Sequence, residues 1–474
     1  MVGLDCLILS HKLYYLIRFI LNSKEISTEL PPGLPLLDFI RYNQQLFGTK
    51  IGCREGDCGA CTILVGEIKS GQLRYTSATS CLMPLGNAKG KHIVSIEGIN
   101  MEKLNPIQHA MSEEGATQCG FCTPGFVVSL AGFILSPAEP NYTNAIAAVN
   151  GNICRCTGYK SIERAAKRIT ELMKDRKEQD AMTFIMNHSM LPSYFVDIKG
   201  RLENLAFESS TPKSRPGRLV GGGTDLYVQQ HENMIEADID FFFDRKDYKP
   251  ITIDGNICEV GAEATVTDII ESPIFQDYFP GLGKFIKLVS STPIRNMATV
   301  AGNFINASPI GDMTIFFLAL DAQLQLSDGG HTRQIPLRSL YKGYKVLDKK
   351  AEEFIEKLSF KLPGKDEFFN FEKVSKRTHL DIASVNTAIL VKVKESIILK
   401  ASISAGGVGP IPMYLAKCSS FLEGKALSSE IIDECVGVTQ GEISPISDTR
   451  GSEEYKRLLL GQLIKCHFMG LSEP

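Results

Sequence analysis

Several things are scarce or missing in this sequence. Tryptophan is absent, an unusual omission that decides nothing alone. Net charge is nearly absent too. The 51 Lys and Arg stand against 54 Asp and Glu, a formal charge of -3, so no global basic field exists to condense on nucleic acid or anionic lipid. Neither nucleic acid nor a membrane is expected as a partner. No segment reaches the roughly 20 uncharged apolar residues that a transmembrane helix needs. The N-terminal LILSHKLYYLIRFIL is broken by His11, Lys12 and Arg18, with no small-residue cleavage site after it, which predicts no signal peptide and a cytoplasmic chain. With 474 residues, 43% apolar and 22% charged, the composition is ordinary for a soluble globular protein but too long for one core, so several domains are expected.

Cysteine is what the sequence does have, unevenly placed. Eight of the thirteen fall in two groups, Cys53, Cys58, Cys61, Cys81 and Cys119, Cys122, Cys154, Cys156; in a cytoplasmic chain such clusters bind metal more often than they form disulfides. The isolated Cys258, Cys418, Cys435 and Cys466 sit in apolar contexts and read as small hydrophobes. The first group has the C-x4-C-x2-C…C spacing of a plant-type [2Fe-2S] site, where one short loop delivers three thiolates and turns its amides on the sulfurs. Gly52, Gly56 and Gly59 leave room for that approach. Structural zinc prefers paired CxxC knuckles over a CxxxxC opening. The second group, CxxC…CxC, suits either a second cluster or tetrahedral zinc when taken alone; its neighbour favours a cluster, and two adjacent redox centres suggest an electron relay.

The pattern along the chain predicts a multidomain α+β protein. Strands YLIRFILNSK, CTILVGEI and QLRYTSATS and a helix over LLDFIRYNQQLF make a small first domain over 15–97. A 3.6-residue period from Asn105 then gives four helices, with caps expected at Asn105, Thr123, Thr143 and Ser161, over 98–173. A charged linker follows around 174–182. Alternating strands and helices fill 184–350, and longer β runs with a helix near 428–438 fill 355–470. The run Phe241, Phe242, Phe243 reads as a buried strand, because three consecutive aromatics cannot share one face of it.

GTKIGCREGDCGACT, QCGFCTPGF and GNICRCTGYKSI, in this order, resemble the iron–sulfur signatures of the xanthine dehydrogenase and aldehyde oxidase family of molybdenum hydroxylases. That resemblance implies a ferredoxin-like β-grasp domain and a four-helix domain, each with one [2Fe-2S] cluster held by its four cysteines. GGGTDL lacks the G-x-G-x-x-G fingerprint and the lysine of a P-loop, so alone it is either a tight turn or a glycine cradle for a pyrophosphate. It and TPIRNMATVAGNFINASPIGD resemble the family's FAD-binding domain. The match implies flavin contacts at Leu219, Val220, Gly221, Gly222, Gly223, Thr224, Asp225 and Leu226, at Thr299, Val300, Ala301, Gly302 and Asn303, and at Asp312. FEKVSKRTHLDIASVN and ISAGGVGPIP resemble the small α+β C-terminal domain that follows, adding Lys373; KRTHLDIA is less acidic than the family's form. Nothing resembles a molybdopterin-binding portion. The family therefore implies a molybdenum-binding large subunit in a higher heteromer, substrate oxidation on that partner with no catalytic residue here, and electrons passing through both clusters to FAD and then NAD+. The substrate could be a purine, an aldehyde or an N-heterocycle; a flavin-free ferredoxin-like carrier is the reading from another class.

Overall fold

The computed structural model describes residues 16–176, 180–207, 218–237, 239–244 and 251–471. Residues 1–15, Cys6 among them, and the centre of the expected linker at 177–179 lie outside the described residues.

The first domain is a five-stranded sheet in the order Lys24–Thr28, Ile17–Leu21, His92–Val94, Thr62–Lys69, Gln72–Thr79. Ile17–Leu21 runs parallel to His92–Val94 and every other pairing is antiparallel. The expected first strand is really a hairpin. Asn22 turns it with φ of +54°, a conformation that Asn tolerates, and Lys24–Thr28 returns alongside. At the other hairpin Ser70 and Gly71 both take positive φ, +49° and +75°, the two-residue turn that matches strand twist. The helix expected over 36–47 is shorter, with a helical turn at Leu36–Asp38 passing into a wide turn at Phe39–Asn43. Leu36, Leu37 and Ile40 are buried but Phe47 is exposed, with the Arg41 guanidinium 5.5 Å over its ring.

Four helices follow: Pro106–Glu113, Thr123–Leu135, Tyr142–Ala148 and Lys160–Leu172. Asn105 caps the first in a reciprocal box with Gln108. Thr123–Leu135 is apolar nearly all round and forms the bundle's centre. Three expected caps are displaced: Cys122, not Thr123, stands before Thr123–Leu135. Asn141, not Thr143, accepts from the Asn144 amide, and the last helix starts after Tyr159, at φ of +69°. The stretch 184–207 was expected with the flavin domain, yet Phe184, Ile185 and Phe195 join the helical core, while Ile198, Leu202 and Leu205 pack on Ile20 of the sheet.

The third unit pairs Arg218–Val220 with Ile239–Phe241 in parallel and carries a five-stranded antiparallel sheet, Thr332–Pro336, Gln323–Ser327, Phe354–Lys361, Ile257–Gly261, Ile251–Asp254. Phe275, Phe279, Phe304, Phe316, Phe317 and Phe360 meet edge-on or tilted in its core. Phe354–Lys361 is central to this sheet, so the boundary expected between 350 and 355 falls later. Of the three phenylalanines only Phe241 is buried; Phe243 is 37% exposed, under the Lys91 ammonium. The last unit is a sheet of Glu367–Val374, Val385–Lys394, Ile397–Gly406 and Met413–Tyr414 covered by Ala416–Leu422, Ser429–Gln440 and Glu453–Met469. Cys258, Cys418 and Cys435 are buried as expected, whereas Cys466 is exposed.

Candidate redox-cofactor sites

The hairpin of Thr62–Lys69 and Gln72–Thr79 pairs Thr62 with Thr79, which sets Cys61 opposite Ser80 and brings Cys81, one residue further on, close to it. Ser80 fixes the join, donating its amide and its hydroxyl to the Cys61 carbonyl at 3.3 and 2.7 Å. Upstream, Arg54, Gly56 and Gly59 take φ of +58°, +77° and +68° and curl the loop so that amides face sulfur. Glu55 N lies 3.3 Å from Cys53 Sγ, and Cys53 N lies 3.4 Å from Cys58 Sγ. A Cβ on Gly52 would stand 2.5 Å from the Cys58 sulfur. The Cys53 thiol is pulled down to about 5, first by contact with Cys58 and then, against burial, by the amides of Glu55, Cys58 and Asp57. Cys58 is pushed up by the same contact; Cys61 falls and Cys81 rises through theirs.

In the helical domain Cys122 is the N-cap residue of Thr123–Leu135, and Cys154 and Cys156 lie in the loop before Lys160. Cys119 and Cys156 sulfurs are 3.6 Å apart. Cys122, pushed up to about 12 by burial and then by its contact with Cys154, forms the other pair. The Thr157 hydroxyl donates to Cys154 Sγ at 3.1 Å.

Each set thus resolves into two pairs of thiols, which is what a binuclear cluster takes, two thiolates per iron. A single zinc needs its donors around one point, and among the described residues no group of three or more His, Cys, Asp or Glu closes in that way. Donor chemistry and inward amides fit a [2Fe-2S] cluster in both places.

The two loops stand back to back. The Ile153 amide donates to the Cys58 carbonyl at 3.0 Å, so a peptide adjoining Cys154 is bonded directly to a cysteine of the other set. Asn152, 6% exposed, donates to the Gly59 carbonyl at 3.0 Å while its Oδ1 accepts from Ser129. Gly59 must be glycine for this, since a Cβ would lie 2.3 Å from the Gly151 carbonyl oxygen. Cys61 and Cys81 are buried, whereas Cys119 and Cys156 are exposed beside exposed Phe121, Ile153 and Tyr159.

The glycine loop and the 299–312 segment also meet. A Cβ on Gly221 would stand 3.0 Å from the Thr299 side chain, and Asn306 donates to Asp225 at 2.8 Å. Thr299 caps Val300–Asn306 by accepting from the Gly302 amide at 3.1 Å. Asn303 Oδ1 accepts from the Thr314 amide and hydroxyl, bridging toward Asp312, whose carboxylate receives Lys373 Nζ at 2.7 Å and Asn386 Nδ2 at 2.6 Å. The Lys373 side chain is 1% exposed and also donates to the Leu288 carbonyl. Leu219, Val220, Thr224, Leu226 and Ala301 flank these contacts. Gly222 and Gly223 are buried, and among the described residues their amides meet no acceptor. Two buried donors without partners call for an acceptor from outside the chain, which a pyrophosphate supplies, so this loop fits FAD. Sequence reading missed Asn306, Asn386 and Lys345, whose Nζ bonds Asn306 Oδ1 at 2.9 Å.

The segment Thr292–Met297 ties all three units. Thr292 bonds Asn150 and Ala147 of the helical domain at 2.9 Å each, Asn296 donates to the Ser77 carbonyl, and Ile294 packs where a Cβ on Gly56 would lie 2.7 Å away. The loop that departs from the family's form places His379 Nδ1 3.2 Å from the Lys287 carbonyl.

Four family models match in series: a 2Fe-2S iron–sulfur cluster binding domain over 19–85, a [2Fe-2S] binding domain over 95–167, the FAD binding domain in molybdopterin dehydrogenase over 205–363 and a CO dehydrogenase flavoprotein C-terminal domain over 371–469. Among curated proteins, xanthine dehydrogenase of Emericella nidulans is 28% identical across 86% of this chain and 35% of its own length. Xanthine dehydrogenase 1 of Arabidopsis thaliana is 28% identical across 89% and 37%, and aldehyde oxidase 1 of Bos taurus 25% identical across 96% and 39%. The chain spans little more than a third of these relatives. Of solved structures, reconstituted CO dehydrogenase from Oligotropha carboxidovorans shares the fold at a TM-score of 0.50 and 23% identity, over 52% of this chain and 87% of that one; carbon monoxide dehydrogenase from Hydrogenophaga pseudoflava does so at 0.50 and 22% over the same shares. No helix among the described residues is long and apolar enough to cross a membrane. With two iron–sulfur domains followed by an FAD-binding domain and its flavoprotein C-terminal companion, the chain carries the iron–sulfur and FAD-binding electron-transfer domains of the molybdenum hydroxylase family.

Proposed function

We propose that this chain is the iron–sulfur and FAD subunit of a xanthine dehydrogenase, working with a molybdenum-binding large subunit in a higher heteromer and delivering electrons to NAD+ in purine catabolism. The observation that carries it is the direct backbone bond from Ile153 to Cys58, which sets two cysteine sites back to back with one of them exposed and the other buried toward the flavin unit. When bound, two [2Fe-2S] clusters supply one-electron carriers and FAD couples them to hydride exchange. In this reading Cys53, Cys58, Cys61 and Cys81 hold one cluster, and Cys119, Cys122, Cys154 and Cys156 the other. Residues 219–226 and 299–303, together with Asp312 and Lys373, would hold the flavin. The exposed Phe121, Ile153 and Tyr159 around Cys119 and Cys156 form the face that meets the partner, and no catalytic residue for substrate oxidation is assigned to this chain. The aldehyde oxidase relatives support a second reading, the same subunit serving an aldehyde or N-heterocycle dehydrogenase. The unpartnered amides of Gly222 and Gly223 argue against a flavin-free carrier.

The test uses the purified, metal-analysed chain. Four irons per chain and two distinct EPR signals on reduction are expected, with Cys122→Ser removing one signal and leaving the other. NADH should reduce an artificial dye, while xanthine turnover should require the added large subunit. One EPR signal with stoichiometric zinc would reject the second cluster. Xanthine turnover by the molybdenum-free chain would reject the subunit reading, and failure of NADH to reduce the flavin would reject NAD+ as acceptor.

A further inference from the structure

Asn87 sits in the short helical turn Leu85–Ala88 of the ferredoxin-like domain, six residues after Cys81. It is 6% exposed, and its Nδ2 donates to the Gly221 carbonyl at 2.9 Å, joining the first domain to the flavin loop across 134 residues. Other contacts brace the loop from the same side. The Leu82 carbonyl oxygen stands 3.0 Å from where a Gly223 Cβ would be, and Phe241 packs so closely on Gly86 that a Cβ there would lie 2.2 Å from the ring. Tyr227, in the helix after the loop, donates its hydroxyl to the Gly33 carbonyl at 2.6 Å.

Among the described residues Asn87 Oδ1 has no hydrogen-bond partner; the residue lines a cavity of about 330 Å³ between the ferredoxin sheet and the flavin unit. Burying an amide with its acceptor unmet is costly, and the one hydrogen bond this side chain makes among the described residues is to Gly221. In a planar trans peptide the carbonyl of one residue and the N–H of the next point in opposite directions. Holding the Gly221 oxygen toward Asn87 therefore turns the Gly222 N–H away from the ferredoxin-like domain, and this N–H is one of the two buried donors without an acceptor.

We infer that Asn87, a residue of the iron–sulfur portion, is a positioning residue for the flavin: it pins the Gly221 carbonyl and so aims the Gly222 amide at the pyrophosphate, making FAD affinity depend on the fold of the segment that follows Cys81. The inference rests on the flavin reading above. By linkage, whatever the folded segment adds to FAD affinity, bound FAD returns as protection of that segment.

The full chain is stripped of flavin and titrated with FAD and with riboflavin, which lacks the pyrophosphate. Asn87→Asp keeps the shape, removes the donor and sets an oxygen against the Gly221 carbonyl. It should raise the FAD Kd about tenfold, the loss of one hydrogen bond, leave riboflavin affinity unchanged and leave both cluster EPR signals in place. Asn87→Ala should weaken FAD in the same sense. In the unsubstituted chain, FAD should slow hydrogen exchange of the amides between Leu82 and Ala88, a measurement that needs no variant to fold. An unchanged FAD Kd in Asn87→Asp with both signals present, an equal loss for riboflavin, or no FAD-dependent protection of 82–88 would each overturn the inference. An unsubstituted chain that does not bind FAD would instead overturn the flavin reading beneath it.

Discussion

His92 is wholly buried, its Nδ1 accepting from the Tyr75 hydroxyl at 2.7 Å and its Nε2 donating to the Asn22 carbonyl at 2.8 Å. A second proton would have to displace the tyrosine's, and burial lowers the pKa to about 4. An unfolded His titrates near 6.5, so between those values the unfolded chain binds more protons and stability rises with pH, declining as the solution is acidified. The contribution is whole above about 6.5 and lost as pH drops through about 4, on the order of 3 kcal/mol. Buried His467, lowered to about 3, acts in the same direction. Urea midpoints between pH 7 and 4 should therefore slope less steeply in His92→Gln than in the unsubstituted chain; parallel slopes would refute the assignment. At this scale the grouping of the eight clustered cysteines was legible from their spacing, and the structure brings them together as pairs of thiols. Asn306, Asn386 and Asn87 were not, because their partners lie 81, 74 and 134 positions away, and an asparagine in a sequence does not disclose which carbonyl or carboxylate it will meet.

Among the elements, the glycine loop changed most in meaning. In sequence its glycines read as room for a ligand. In the structure a Cβ on Gly222 would lie 1.8 Å from the Met297 carbonyl oxygen, a backbone atom that cannot step aside, so this glycine is required by the protein's own packing. Gly222→Ala should then destabilise the flavin-free chain, by about 1–3 kcal/mol, as well as weaken FAD. Thermal midpoints measured without flavin decide this, and an unchanged midpoint would return the glycine to a purely ligand-facing role. Helix starts were legible where the cap and its reciprocal partner are local, as at Asn105 and Gln108. They were misread at Thr123, Thr143 and Ser161, where a neighbouring residue stands at the true start and the hydroxyl falls inside the first turn.

Across the whole molecule, domain order was legible and domain edges were not. A strand shows its alternation but not its sheet, which is why Phe354–Lys361 turned out to pair with Gln323–Ser327 and Ile257–Gly261. The junction of the two cluster domains rests on few polar bonds, so Asn152→Ala, which strips the Gly59 carbonyl of a donor and Ser129 of its acceptor, should matter out of proportion to its size. A loss of about 1–3 kcal/mol for an unmet buried group corresponds to about 2–4 °C per kcal/mol. Calorimetry of the cluster-loaded chain should show the iron–sulfur transition lowered while the flavin transition stays put; an unmoved first transition would show that the domains are joined by other means. The helices at Ala181–Asn187 and Ile198–Phe207 close over two cores built wholly from earlier residues. A chain made from its N-terminus folds its early domains first, so during synthesis both cysteine sets are in place while the faces that these helices later cover are still bare. A nascent chain stalled before residue 181 is left with exposed apolar faces that invite chaperones and aggregation alike.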